Sequence, residues 1–136
     1  MIVVDASAAV EMLLGTLAGS SGEATLVASQ PAIVPVHFDT EVYHALRRVY
    51  LRRALDRDRL RVAIDQLEAF DAERVEVVSL LPNVVGLVDV IGAPDVFYVL
   101  LAISRGCPLL TCDLALARAA RRLGVEVFAI DRARPA

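Results

Sequence analysis

Lysine is absent from this sequence: all 14 basic residues are arginine. A P-loop requires a lysine on the phosphates and a Schiff-base enzyme requires a lysine amine, so both chemistries are excluded. Long apolar runs are missing too. The apolar fraction reaches 57%, yet charge interrupts every stretch before the roughly 20 residues of a membrane span. The start, Met1-Ile2-Val3-Val4-Asp5, has neither a basic leader region nor a small-residue cleavage site and reads as an immediate strand. A cytoplasmic protein without a membrane segment is expected. Cysteine is scarce. Cys107 and Cys112 stand five positions apart, which is neither a redox CxxC pair nor a zinc spacing, and both read as small apolar residues flanking a strand.

What is present fits one domain over residues 1–136 with a real core. A net charge of −3 argues against indiscriminate nucleic-acid binding while leaving room for a local basic patch. Arginine suits bidentate phosphate contacts, although a GC-rich genome explains the same bias. Residues 2–4 predict a buried strand, followed by a helix that ends in the Gly/Ser-rich stretch from Gly15 to Gly22, and a short helix around 22–29. Pro31 and Pro35 bracket a second strand, Ala32-Ile33-Val34. Helices are expected at 37–55 and 57–72, a third strand from Val75 to Leu80, and a helical turn or two around 83–91. A buried helix over 95–105, a strand at 108–111, a helix at 113–123 and a strand from Val125 to Ile130 complete the pattern. Short apolar strands alternating with helices predict an α/β protein: a three-layer α/β/α sandwich around a parallel sheet of about five short strands.

Ligands in such sheets bind beyond the carboxyl ends of the strands, so the residues that end each strand matter most. Asp5 directly follows the first strand, and Asp113 follows Leu109-Leu110 by way of Thr111 and Cys112. Glu41 lies in the first turn of the helix after the second strand, and Asp95 in the first turn of the apolar helix behind Pro94. Four acids at helix starts on one sheet edge can converge. Acids also cap free N–H groups and meet the positive helix end, which explains any one of them singly. Asp95 fits that account least, because its helix is otherwise apolar and no basic residue precedes it nearby. Grouped carboxylates without histidine or cysteine form a hard oxygen site for Mg2+ or Mn2+. Metal-assisted phosphodiester hydrolysis by an activated water follows from it.

The order Val-Val-Asp5-Ala-Ser7-Ala, Pro35 with Glu41-Val-x-x-Ala-Leu, Asp95 opening an apolar helix, and Leu-Leu-Thr111-Cys-Asp113-x-x-Leu-Ala resembles a PIN domain. More narrowly it resembles the VapC-type toxin ribonucleases of bacterial toxin–antitoxin pairs. The resemblance spans nearly the whole chain. It implies an endoribonuclease with a Mg2+ or Mn2+ site in which Asp5, Glu41, Asp95 and Asp113 are the acidic ligands. Ser7 and Thr111 would be supporting hydroxyls. It also implies a homodimer silenced by a cognate antitoxin whose tail enters the active-site groove. Two positions depart from the family's pattern: Pro94, where relatives often carry an aromatic or other apolar residue, and His44, where many carry asparagine. His44, one turn beyond Glu41, is either a contact to metal water or substrate or an exposed residue without a role. His37 reads as a helix-start residue, and Asp89 as a second-ranked competitor of Asp95.

At about 100° per residue, Arg48 and Arg52 fall within about 20° of Glu41 on one stripe of its helix, where they can track a phosphate backbone. Arg118 and Arg121, on the helix opened by Asp113, are further RNA-binding candidates; a solvated helix face explains either pair equally well. With aromatics at 5% and no aromatic RNA-binding motif, sequence-specific base reading is not visible. A structured RNA such as tRNA or rRNA, cut in a single-stranded loop, fits better. A haloacid-dehalogenase phosphatase and a receiver domain both need a later lysine, and the former also needs an aspartate where Ser7 stands. The remaining alternative is a catalytically silent PIN fold that only binds a partner.

Overall fold

The computed structural model describes residues 1–15 and 29–130. Strand β1 (Ile2–Val4) is buried throughout, as a central strand covered on both faces must be. Helix α1 (Ala6–Leu14) follows at once and is stopped by Gly15 in the left-handed conformation, at φ 68°. Arg59 reaches back to donate to the Leu13 carbonyl at 2.6 Å, satisfying one of the free acceptors at that helix end. Strand β2 (Ala32–Pro35) leads into α2 (Phe38–Leu51) and α3 (Arg57–Glu68), then strand β3 (Ala72–Val75). Two short 3-10 helices, Val78–Asn83 and Val85–Leu87, precede α4 (Asp95–Arg105), strand β4 (Leu109–Thr111), α5 (Leu114–Arg122) and strand β5 (Val127–Ala129).

The five strands are all parallel, in the order β3-β2-β1-β4-β5. The chain therefore steps one way from β1 through β2 to β3, then crosses back to β4 and steps the other way. Helix α1 packs on α2 and α3, whereas α4 packs on β1, β2 and β4, and α5 on β4 and β5. Right-handed crossovers place these two groups on opposite faces, giving the expected α/β/α layers. The reversal of direction between β1 and β4 opens a crevice at their carboxyl ends.

Several boundaries differ from the sequence reading. The third strand is Ala72–Val75 and not Val75 to Leu80. Its partner ends at Pro35, paired with Val75, so residues beyond have no ladder to join and coil into a 3-10 helix. The helix expected to 72 accordingly ends at Glu68, and the one expected to 55 ends at Leu51, with Arg53 at φ 60° just beyond. The short helix expected around 22–29 lies, but for its last position, outside the described residues. Among the described residues no helix is long and apolar enough to cross a membrane.

Helix α2 buries Phe38, Val42 and Leu46 at four-residue spacing. Replacing Leu46, which is wholly buried, with alanine is expected to cost about 2–5 kcal/mol in urea unfolding. Arg47→Ala, on the exposed face beside it, is expected to stay within about 0.5 kcal/mol of the parent. Equal costs would mean that α2 does not pack as described.

Candidate active site

Asp5 is the charged residue placed deepest, only 4% exposed at the end of the central strand. Its backbone N–H donates to the Leu110 carbonyl, which locks it against β4. Two hydroxyls serve its carboxylate: Ser7 Oγ donates to Oδ2 at 2.6 Å and Thr111 Oγ1 donates to the same oxygen at 2.7 Å. Each hydroxyl also accepts a backbone N–H, Ser7 from Cys112 and Thr111 from Asp113, both at 3.0 Å. Each hydroxyl has one proton, and both protons go to Asp5. The 3.2 Å approach of Ser7 Oγ to Thr111 Oγ1 is therefore a contact between oxygens with no proton to share.

Asp113 caps α5, its Oδ1 accepting from the backbone N–H groups of Ala115 and Leu116 at 2.9 and 3.1 Å. That is the capping role an aspartate at a helix start can always play, and it leaves Oδ2 uncommitted. Glu41, in the first turn of α2, receives the Tyr98 hydroxyl on Oε1 at 2.7 Å. His37 Nε2 approaches the same oxygen to 3.3 Å but without the alignment of a hydrogen bond. Asp95 opens α4 behind Pro94, and its carboxylate takes no hydrogen bond from the described residues.

Burial pushes the Asp5 carboxyl above its ordinary value, partly offset by the Ser7 and Thr111 hydroxyls, with the charge of Asp113 adding to the rise. Glu41 is raised to about 7, first by burial and then, against the Tyr98 hydrogen bond, by the charges of Asp5 and Asp95. Asp95 is raised to about 6 by burial and by the charges of Asp5 and Asp113. These mutual repulsions tie all four acids into one electrostatic cluster. Among the described residues no arginine pairs with any of them; the arginine ion pairs are Arg74 with Asp39 and Arg105 with Glu73. His37 is no counter-ion either, because burial lowers its pKa and favours the neutral ring.

An open cavity of about 660 Å³ runs over this cluster, lined by Asp5, Ser7, Glu41, Asp95 and Asp113 and, farther along α2, by His44, Arg48 and Arg52. Ala45 and Val49 lie on its wall as well, so the stripe of α2 that faces the cavity is broader than the arginine line alone. Thr111 stands behind the wall, fully buried. Arg118 and Arg121 are not on the cavity; the Arg121 guanidinium donates instead to the Val127 carbonyl at 3.2 Å. Asp89 is exposed and away from the cavity. Tyr98 was not legible as a site residue. Its signal is a lone phenol one turn after Asp95 in an otherwise apolar helix, which on a sequence looks like core.

Among the described residues no three histidine, cysteine or acidic side chains are already drawn together to hold a metal ion. The donor set nevertheless fits Mg2+ or Mn2+. Such an ion keeps several waters and needs only one or two carboxylates directly. Here oxygens of Asp5, Glu41 and Asp113 remain outside the internal hydrogen bonds.

Known proteins are similar to this chain in sequence. Ribonuclease VapC12 of Mycobacterium tuberculosis is 36% identical over 119 residues, covering 87% of this chain and 91% of the relative. Ribonuclease VapC3 of the same organism is 36% identical over 118 residues, covering 87% of this chain and 86% of the relative. VapC ribonuclease Mb0985 of Mycobacterium bovis is 36% identical over 117 residues, covering 85% and 88% respectively. The PIN domain family profile matches residues 2–122, from the first strand through α5. With that match, the parallel five-stranded sheet and the acidic crevice, the chain belongs to the PIN domain family.

Proposed function

We propose that this chain is a metal-dependent endoribonuclease that hydrolyses RNA phosphodiester bonds, the toxin of a VapC-type toxin–antitoxin pair. The observation that carries this reading is the acidic cluster itself: four mutually repelling carboxylates on one cavity, with no arginine among the described residues to balance them. The relatives named as ribonucleases support the same chemistry. Asp5, Glu41, Asp95 and Asp113 would hold Mg2+ or Mn2+. Such an ion would supply a water of lowered pKa and charge stabilisation for the leaving oxygen.

The chain's own residues do the rest. Ser7, in the first turn of α1, and Thr111, at the end of β4, fix the Asp5 carboxylate, so its outward oxygen is aimed by parts of the fold distant in sequence. The amides of Ala115 and Leu116 do the same for Asp113. Arg48 and Arg52, on the wall beyond Glu41, draw the RNA backbone along α2 towards the acids. A structured RNA such as tRNA or rRNA, cut in an unpaired loop, suits a groove that tracks phosphate and offers few stacking aromatics. The partners in this reading are a cognate antitoxin whose tail occupies the groove and a second copy of the chain, and the place of action is the cytoplasm. Light scattering of the purified protein, alone and with the co-expressed antitoxin, tests both associations.

Incubated with total cellular RNA and Mg2+ or Mn2+, the protein is expected to make discrete cuts that vanish with EDTA and with Asp5→Asn. Losing this ligand is expected to lower the rate by at least the roughly 10- to 100-fold that follows loss of a metal ligand's supporting partner. No cleavage with either metal, alongside intact binding of a co-expressed small partner, would favour the silent partner-binding alternative.

The raised carboxyls make a second test that needs no RNA. Groups whose folded pKa lies above the unfolded one add stability at low pH that is lost as pH rises. For Asp95 and Glu41 that loss begins above the ordinary values of 3.8 and 4.5 and is complete beyond about 6 and about 7. The metal-free protein is therefore expected to lose melting temperature between pH 5 and pH 8. Mn2+ should restore more of it at pH 8, where the acids are ionised, and Asp95→Asn should flatten both effects. A melting temperature indifferent to metal at either pH would remove the ion from this reading.

Replacing Arg48 and Arg52 by alanine in the Asp5→Asn background should weaken RNA binding for all sequences alike. The slope of log K against log salt should fall by roughly 0.7 for each phosphate that the two arginines neutralise. An unchanged slope would place the RNA elsewhere.

A further inference from the structure

Behind Glu41 lies a buried phenol that the chemistry proposed above does not use. Tyr98 is 0% exposed, the bulkiest of the fully buried side chains, in a helix whose other inward residues are Val96, Val99, Leu100, Leu101 and Ala102. A phenylalanine would fill that space without a polar atom. Burying a phenolic hydroxyl is unfavourable unless it is bonded, and its hydrogen-bond acceptor is Glu41 Oε1 at 2.7 Å. The His37 ring packs edge-on against Phe97 and Tyr98, with centroids 5.5 and 5.6 Å apart, and closes the same side of the carboxylate.

Two geometric consequences follow. Tyr98 and Asp95 share α4, while Glu41 belongs to α2, on the other face of the sheet. The single hydrogen bond therefore ties the position of one acid to the helix that carries another. It also occupies one oxygen of Glu41. The same pattern holds at Asp5, where both hydroxyls meet on Oδ2, and at Asp113, where both amides meet on Oδ1. Three of the acids are thus anchored through one oxygen and present the other.

We propose that Tyr98 is a positioning residue that holds Glu41 as a one-oxygen ligand, and that this anchoring makes the cavity select small octahedral cations over Ca2+. Mg2+ and Mn2+ accept single-oxygen carboxylates and retain water, whereas Ca2+ takes more oxygens and often a two-oxygen carboxylate. The inference rests on the metal-dependent reading of the cavity. Freed from Tyr98, Glu41 can turn both oxygens towards an ion, which weakens placement for Mg2+ and relaxes the bias against Ca2+.

The test is calorimetric titration of the full chain, free of RNA, with Mg2+, Mn2+ and Ca2+, for the parent, Tyr98→Phe, Glu41→Gln and the double variant. The parent should bind Mg2+ at least as tightly as Ca2+. Tyr98→Phe should lose about 10-fold or more in Mn2+ affinity, as expected for loss of a group that orients a ligand, and should narrow the Mg2+ to Ca2+ ratio. The Tyr98→Phe effect should disappear in the Glu41→Gln background, because the acid that the phenol bonds is Glu41. Parent-like affinity and ratio in Tyr98→Phe, or losses that simply add in the double variant, would overturn the role of Tyr98 and leave the metal reading standing. A parent that binds neither Mg2+ nor Mn2+ would overturn both. If Tyr98→Phe does not fold, the parent still decides: Ca2+ bound 10-fold more tightly than Mg2+ contradicts one-oxygen anchoring.

Discussion

A carboxylate buried at the end of the central strand is the constraint on which this structure turns. Taking Asp5 to 4% exposure is unfavourable by several kcal/mol unless its oxygens are served. The fold serves them from both strands of the crevice, Ser7 following β1 and Thr111 ending β4. The Ser7 bond is local, but the Thr111 bond can form only if β1 and β4 are adjacent and parallel with their carboxyl ends level, which is the register Val3 with Leu109 and Val4 with Leu110. The polar network and the sheet topology therefore specify each other. A slip of β4 by one residue would withdraw Thr111 from Asp5 and turn the strand's side chains to the opposite face.

From that anchor the rest of the cavity is built against its own electrostatics. Asp95 and Glu41 rise to about 6 and about 7 because the fold brings like charges together in a half-buried place. In the function proposed above, a cation relieves that repulsion, so the unfavourable crowding of the acids and the affinity for the ion are one quantity seen from two sides. The anchoring donors keep the acids from relaxing that strain by swinging apart. Amides hold Asp113, hydroxyls hold Asp5 and a phenol holds Glu41.

Much of this was legible in the sequence because the sheet is parallel. A parallel strand ends where a helix must begin, so Asp5 and Asp113 announce themselves as the first charged residues after short uncharged runs. Helical periodicity did the same for Arg48 and Arg52, which share the stripe of Glu41 and line the cavity. Legibility ended where partners decide the outcome. The run from Ala72 to Leu80 has strand-forming residues at both ends, and only the length of β2 determines which end pairs. Periodicity shows that Arg118 and Arg121 leave the core, but not that α5 aims them away from the crevice or that Arg121 is taken by Val127. Tyr98 stayed hidden for a related reason. Its hydroxyl looks like one more aromatic in a buried helix until a residue 57 positions earlier is brought against it.

The acids of the cavity come from positions 5, 41, 95 and 113, each at the start of a different helix. No contiguous fragment carries the set, and its last member follows the fourth strand. The cavity therefore cannot assemble before β4 and the start of α5 have been made, however early the first strand and helix form. β4 supplies the Thr111 half of the cradle around Asp5 as well as the approach to Asp113, so the orientation of Asp5 and the set of four acids are completed together. Distributing the acids along the chain makes the cavity a property of the whole sheet, so no segment folding alone can display it.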